Sequence, residues 1–257
     1  MECKIALLGT GNVAWHLSAA LESAGHTVTE VYGRSLQQAE KITERLYASE
    51  PTDDLDFSGS EAELFILAVA DQAITPLADA VILPEGSTLV HTSGSMSLEI
   101  LAYSSASFTG IFYPLQTFSK YQAIDFSDVS ILLESDDPGT LKKLRKIATS
   151  LKSPHYTVKS RDRKAVHVAA VFASNFTNHL IGIAEEILER QGLDFEMMKP
   201  LIIEQIGKTL EIGAKKAQTG PAIREDLETL ESHHQFLQYD EHLAEIYRVI
   251  TQRILDS

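Results

Sequence analysis

The sequence predicts an α/β chain, with a doubly wound, mostly parallel sheet over residues 1–158 and an all-α domain over residues 159–257. Three observations carry this reading. Short apolar runs alternate with helical patterns through the first half, the order of a doubly wound sheet. One of these runs, Leu64 to Val69, is continuously apolar, as a strand covered on both faces requires. From Arg161 onward only helical periodicity remains.

The elements follow in order. Lys4 to Leu8 is a strand-length apolar run ending at Gly9. From Asn12, the residues Val13, Trp15, Leu17, Ala20, Leu21 and Ala24 give a buried helix that Gly25 stops. Thr27 to Tyr32 has β-branched strand chemistry, and Ser35 is placed to cap a helix from Leu36 to about Tyr47. Asp71 to Ala80 is helical; Thr88 to His91, Phe108 to Tyr113 and Asp128 to Leu133 are strands. A basic helix runs from about Pro138 to Leu151, and His155 to Val158 is the last strand. Helices are expected over 162–191, 195–217, 223–231 and 239–255, punctuated by Gly192, Gly220-Pro221 and Ser232-His233-His234.

Composition narrows the function classes. The chain has 257 residues, 44% hydrophobic and 23% charged, as in ordinary globular proteins. Its formal net charge of −14 argues against nonspecific nucleic-acid binding and against docking on anionic lipid, while leaving room for a small anion in a locally positive pocket. No run is long enough to span a membrane. Met1-Glu2-Cys3-Lys4 leads straight into a strand without the features of a signal peptide, and Cys3 is the only cysteine; a cytoplasmic location is expected. His233, His234 and His242 form no compact ligand set, because adjacent histidines on a helix point apart, so no metal is expected.

Gly9-Thr10-Gly11-Asn12-Val13-Ala14 reads G-x-G-x-x-A between a strand and a helix. In a Rossmann-type domain Gly9 permits the tight turn, Gly11 lets the backbone approach a pyrophosphate, and Ala14 lets helix and strand pack closely. Helix N-terminal amides then face the phosphates. Such a turn also serves packing alone. The next strand ends Val31-Tyr32-Gly33-Arg34-Ser35. NAD sites place an acid there for the ribose 2′-hydroxyl, and this end has none. Arg34 can pair with a 2′-phosphate and Ser35 can donate to it, so the expected cofactor is NADP. The alternative for Arg34 is a solvent-exposed helix start.

Further segments resemble known families. Leu67-Ala68-Val69-Ala70-Asp71 resembles a fourth-strand segment of the 6-phosphogluconate dehydrogenase-like superfamily, which includes pyrroline-5-carboxylate reductase, the β-hydroxyacid dehydrogenases, ketopantoate reductase and deazaflavin-dependent NADP reductase. His91-Thr92-Ser93-Gly94-Ser95 and Tyr113-Pro114-Leu115-Gln116-Thr117-Phe118 resemble a narrower family, the NADP oxidoreductases without a settled substrate whose C-terminal half is a domain of unknown function. Its helical patterns are matched by His167-Val168-Ala169-Ala170, Ala173-Ser174-Asn175-Phe176 and Thr219-Gly220-Pro221, then Arg224, Asp226, Thr229 and His233. The β-hydroxyacid dehydrogenases carry a Lys-x-x-x-Asn catalytic pair; here Val168 follows Lys164 at that spacing, and Val171 follows His167. That mechanism is therefore not carried over.

The first long helix carries a polar stripe, His167, Val171, Ser174 and Asn178, with Asn175 beside it. Buried polar groups need partners, which a cofactor, a substrate or neighbouring helices would provide. His167 is either a proton donor or a satisfied structural histidine; Asn175 and Ser174 orient a ligand or bond between helices. Thr92, Ser93 and Gly94 follow a strand and fall at the carboxyl edge of the sheet, where α/β ligands bind, or form a plain turn. A cofactor anchored at Gly11 would cross that edge past Ala68, Val69 and Ala70. His91 reads as a strand residue, and Arg161, Arg163 and Lys164 as a solvated helix start, with the alternative that Lys164 reaches the cleft. Arg224 and His233 face a substrate anion or join a structural network.

Two functions follow. One is an NADP(H)-dependent oxidoreductase reducing a small polar carbonyl or imine in a cleft between the two halves. The other is an NADP(H)-binding sensor without turnover, and fold alone does not separate them. Leu180, Ile183, Ile187, Leu201, Ile202 and Ile206 spread over more than one helix face, which predicts a homodimer through the helical domain.

Overall fold

The computed structural model describes residues 2–257. The first part alternates strands and helices: β1 (Lys4–Leu8), α1 (Asn12–Ser23), β2 (Thr27–Tyr32), α2 (Leu36–Thr43), β3 (Glu50–Thr52), β4 (Leu64–Leu67), α3 (Asp71–Ala80), β5 (Thr88–His91), β6 (Phe108–Leu115), β7 (Ser130–Glu134), α4 (Pro138–Ser150) and β8 (His155–Thr157). They form one eight-stranded sheet ordered β3-β2-β1-β4-β5-β6-β7-β8. Every neighbouring pair is parallel except β6 and β7. The doubly wound, mostly parallel sheet expected from the sequence is present.

Alternation along the strands divides the core. Ile5, Leu7, Leu64 and Ile66 pack on one face with Leu17 and Leu21 of α1 and Leu144 of α4. Ala6, Leu8, Phe65 and Leu67 pack on the other with Ile74 and Ala78 of α3. Each of the leucine, isoleucine and phenylalanine side chains contributes about 1.5–3 kcal/mol when fully buried. Helix starts are set locally: the Asp137 side chain accepts from the Thr140 amide at 2.6 Å, with Pro138 opening α4.

Three details differ from expectation. β3 was not foreseen; it is a three-residue edge strand containing Pro51 and pairs only with β2. α2 closes at Thr43, short of Tyr47. The helix expected over 195–217 divides at Gly213, whose φ of 86° breaks the ladder between α7 and α8.

After β8 the chain is helical: α5 (Ser160–Ala170), a π-helical segment Val171–Phe176, α6 (Thr177–Arg190), α7 (Lys199–Ile212), α8 (Ala214–Ala217), α9 (Leu227–Phe236) and α10 (Glu241–Leu255). The strands end at Thr157, but the first compact unit extends to His179; the second is Leu180–Ser257. The first unit reaches beyond the strands because Arg163 of α5 is fully buried in it. Within the second unit, α7 packs on α8 and the turn Phe195–Met198 and has no buried residue. No helix among the described residues is long and apolar enough to cross a membrane.

Candidate active site

The glycine turn joins β1 to α1 at the carboxyl edge of the sheet. Gly9 has φ +127°, and a Cβ there would lie 2.3 Å from the Ala68 carbonyl oxygen. Only glycine fits, for reasons internal to the fold. Gly11 differs: the nearest atom to its Cβ would be 3.9 Å away. Nothing in the chain requires glycine there, so its bareness serves the open space in front of it. Gly11 also caps α1 without a side-chain hydrogen bond, and no acidic residue sits in the first turn. The amides of that turn present positive partial charge to the same space.

That space is a cavity of about 1230 Å³. Gly9, Thr10, Gly11, Asn12, Val13, Gly33 and Arg34 line one end. Ala68, Val69 and Ala70, after β4, line its floor. Arg34 is exposed and takes part in no ion pair among the described residues. Gln38, one turn into α2, lines the same end and accepts from Thr10 Oγ1 at 3.1 Å. Ser35 caps α2 in extended conformation and does not line the cavity.

The opposite wall is built by α5 and the π-helical segment: Val166, His167, Ala169, Ala170, Val171, Ala173, Ser174 and Asn175. Ser174 and Asn175 both lie in the π-helical turn, a widened turn frequent at functional sites. Asn178 of the expected stripe does not reach this wall. His167 Nδ1 lies 3.0 Å from Tyr113 Oη, and the two rings meet edge to face at 5.9 Å. Gly94 lies behind them: a Cβ there would sit 2.6 Å from His167 Nδ1 and 2.7 Å from Tyr113 Cζ.

The expectation that Arg163 belongs to a solvated helix start is corrected. Its side chain is 0% exposed and ion-paired with Glu134 at the end of β7. It also donates to the Met96 carbonyl. Glu134 accepts from the Ser160 amide and hydroxyl at 2.9 and 2.8 Å. These bonds fix the first turn of α5 and, one turn on, His167. Lys164 is exposed and does not line the cavity.

Thr92 and Ser93 are buried outside the cavity lining. Thr92 Oγ1 donates to the Leu67 carbonyl at 3.1 Å, and Ser93 Oγ accepts from the Ser95 and Met96 amides. His91 is buried; its Nδ1 accepts from the Ser93 amide at 3.1 Å, and burial pushes its pKa down to about 4. It is a neutral residue of the turn. In the second unit Asp226 caps α9 by accepting from the Thr229 amide and hydroxyl, and His233 bonds Tyr247 at 2.9 Å. No cluster able to hold a metal ion occurs among the described residues.

Sequence reasoning gave no site role to Tyr113 of β6 or to Gln116 and Phe118 just after it, all of which line the cavity. The segment is tied to the glycine turn: Asn12 Nδ2 donates to the Phe118 carbonyl at 2.8 Å, and Lys120 Nζ to the Thr10 carbonyl at 3.2 Å. Its signal was position, at the end of a strand on the ligand-binding edge.

Residues 2–110 match a Rossmann-like domain, and residues 129–254 match a domain of unknown function, DUF2520. A comparison with curated proteins finds no match. Among solved structures, pyrroline-5-carboxylate reductase from Streptococcus pyogenes has 14% identity and TM-score 0.67, covering 100% of this chain and 99% of that one. A reductive aminase from Aspergillus terreus in complex with NADPH and ethyl levulinate has 13% identity and TM-score 0.70, covering 100% and 94%. These two likenesses show the fold alone. A "putative NADP oxidoreductase" from Bacteroides fragilis has 33% identity and TM-score 0.91, covering 100% of this chain and 99% of that one. This chain belongs to the same family as the Bacteroides fragilis protein, with a Rossmann-like domain followed by the DUF2520 domain.

Proposed function

We propose that this protein is an NADP(H)-dependent oxidoreductase that reduces a small polar carbonyl or imine. One observation carries the reading: a single cavity runs from the glycine turn and Arg34 to the wall that holds His167. The family relationship to the Bacteroides fragilis protein supports the same activity.

The bare Gly11 and the free start of α1 fit a dinucleotide, and Arg34 fits a 2′-phosphate. Residues 1–158 hold the cofactor, with Gly9, Thr10, Gly11, Asn12 and Val13 at the pyrophosphate, Gly33 and Arg34 at the ribose phosphate, and Ala68, Val69 and Ala70 along the edge, while Ser35, Thr92, Ser93 and Gly94 support these segments from outside the cavity lining. NADPH supplies the hydride. His167 delivers the proton to the substrate oxygen or nitrogen. Asn175 and Ser174 orient the substrate or the nicotinamide amide. The cleft lies between the sheet edge and the helical segment that follows it. Within residues 159–257, the segment up to Asn175 walls the substrate site and the later helices form a homodimer; the absence of any buried residue on α7 supports the dimer. The protein works in the cytoplasm, consistent with its single, buried cysteine.

The test is a titration of NADPH and NADH against wild type and Arg34→Ala, followed by NADPH oxidation with a panel of ketones, aldehydes and cyclic imines. Arg34→Ala weakens NADPH by roughly 1.5–3 kcal/mol, the range for a hydrogen bond to a charged group, and leaves NADH unchanged. Equal loss for both cofactors overturns the phosphate assignment. NADPH binding without oxidation by any member of the panel favours the sensor.

A further inference from the structure

We propose that Tyr113 is the proton partner of His167: its phenol holds Nδ1 as an acceptor, so that His167 presents Nε2–H to the cavity and Tyr113 replaces the proton that Nε2 gives up. This rests on His167 as the proton donor of the reductase. Three features of the geometry carry it. The Oη–Nδ1 distance is 3.0 Å, a formed hydrogen bond between two cavity-lining side chains. The pair is held on the side away from the cavity: Tyr113 is 9% exposed on β6, Gly94 leaves no spare volume behind it, and α5 is anchored by Arg163. Nε2 has no hydrogen-bond partner among the described residues, whereas Nδ1 has Tyr113.

Burial and two charged groups set the energetics of the transfer. Burial pushes the Tyr113 phenol above its ordinary pKa, so it keeps its proton at neutral pH and donates to Nδ1. The buried Arg163 guanidinium of α5 pulls the other way and favours the phenolate, while Asp71 of α3 opposes it. When the substrate heteroatom takes the Nε2 proton, the Nε2–H bond breaks and Nδ1 takes the phenolic proton. The imidazole stays neutral, and the negative charge rests on Tyr113 beside Arg163. Solvent then protonates Nε2, and Nδ1 returns its proton to the phenolate, which restores the starting tautomer. The electron pair that reduces the substrate comes from NADPH, and the chain supplies only the proton.

Long-range proton–nitrogen NMR of histidine-labelled protein with NADP bound reads the tautomer directly and needs no substrate. The expected wild-type spectrum shows a neutral His167 ring with the proton on Nε2. Tyr113→Phe keeps the ring and removes the hydroxyl; it is expected to give mixed tautomers at His167 with no change at His91. A wild-type ring protonated on Nδ1, or a Tyr113→Phe spectrum unchanged at His167, overturns the proposal. If Tyr113→Phe fails to fold, the wild-type tautomer alone decides. With a substrate from the panel, Tyr113→Phe is expected to lower kcat by about 10²-fold, the low end of a proton-transfer effect, with KM unchanged. Failure of the reductase reading shows separately, as no NADPH oxidation by wild type, whatever the tautomer.

Discussion

Arg163 and Glu134 form a buried ion pair that joins the first turn of α5 to the end of β7. The carboxylate also takes both the amide and the hydroxyl of Ser160, so three bonds converge on one side chain. Removing one partner leaves the other charged and desolvated. Arg163→Met should therefore cost about 3–5 kcal/mol, as measured for broken buried pairs. Urea unfolding checks this. The glycine turn does not touch this pair, so NADPH affinity of the folded variant should stay within a few-fold of wild type. A stability loss below about 1 kcal/mol, the value of a surface pair, would show that the ion pair does not anchor α5.

The two glycines of the turn should behave differently. Gly9→Ala places a methyl 2.3 Å from a backbone carbonyl at a φ of +127°, so the backbone must move. A loss of at least about 1–3 kcal/mol is expected from the conformation alone. Gly11→Ala meets nothing in the chain closer than 3.9 Å. It should melt like wild type yet bind NADPH at least tenfold more weakly. Thermal melts and cofactor titration on both variants decide it. A Gly11→Ala protein with unchanged affinity would remove the pyrophosphate from this turn.

Much of this site was legible in the chain, and the missed part has a physical reason. Strand, glycine turn and helix occupy consecutive residues, so Gly9 to Val13 can be read from local order. The stripe from His167 to Asn175 is readable because helical spacing is local too. Tyr113 and Arg163 are different. Tyr113 meets His167 across 54 residues, and Arg163 meets Glu134 across 29. A buried arginine and a solvated one look alike in sequence; only the partner on β7 distinguishes them. The π-helical turn at Val171–Phe176 was also invisible, because one added residue per turn changes no residue type. Edge strand β3 fell below the length at which alternation can be recognised.

His91 gives the fold an acid limit. Its pKa falls from the ordinary 6.5 to about 4, chiefly because burial opposes the charged ring. Between those values the unfolded chain binds a proton that the folded chain refuses. Stability is thus fully present above pH 6.5 and declines as the pH drops toward 4, by about 3 kcal/mol in all. His91→Asn retains an acceptor for the Ser93 amide but does not titrate. Its stability should fall less than wild type's over the same range in urea titrations. Parallel curves would assign the acid sensitivity to other groups.

His167→Ala separates binding from chemistry. The pyrophosphate end of the cavity is formed by β1, α1 and β2, none of which contains His167. Cofactor affinity should therefore be retained. Turnover of any substrate found in the panel should fall by about 10²–10⁴-fold, the size of a general-acid contribution. Stopped-flow NADPH oxidation under single turnover isolates the step. Unchanged oxidation would place the proton donor elsewhere on the wall.

Helix α7 supplies the last prediction. It has fourteen residues, none buried, and it exposes Leu201, Ile203, Ile206, Leu210 and Ile212. A helix with so much bare apolar surface gains little from its few contacts within its own chain, and isolated helices of this length are marginal in water. Ile203 and Leu210 are 72% and 83% exposed, so they do little inside one protomer. The proposed second copy of the chain would cover them in an extended apolar interface of the obligate kind. The double variant Ile203→Glu, Leu210→Glu should leave the sheet-bearing unit folded and shift the protein from dimer to monomer. Sedimentation at micromolar concentration reads the mass, and NADPH titration reports on the first unit. Because α7 would lose its cover, the monomer should also lose helical circular dichroism from the second unit. A wild-type protein that sediments as a monomer would refute the dimer outright. A dimeric double variant would move the interface off α7.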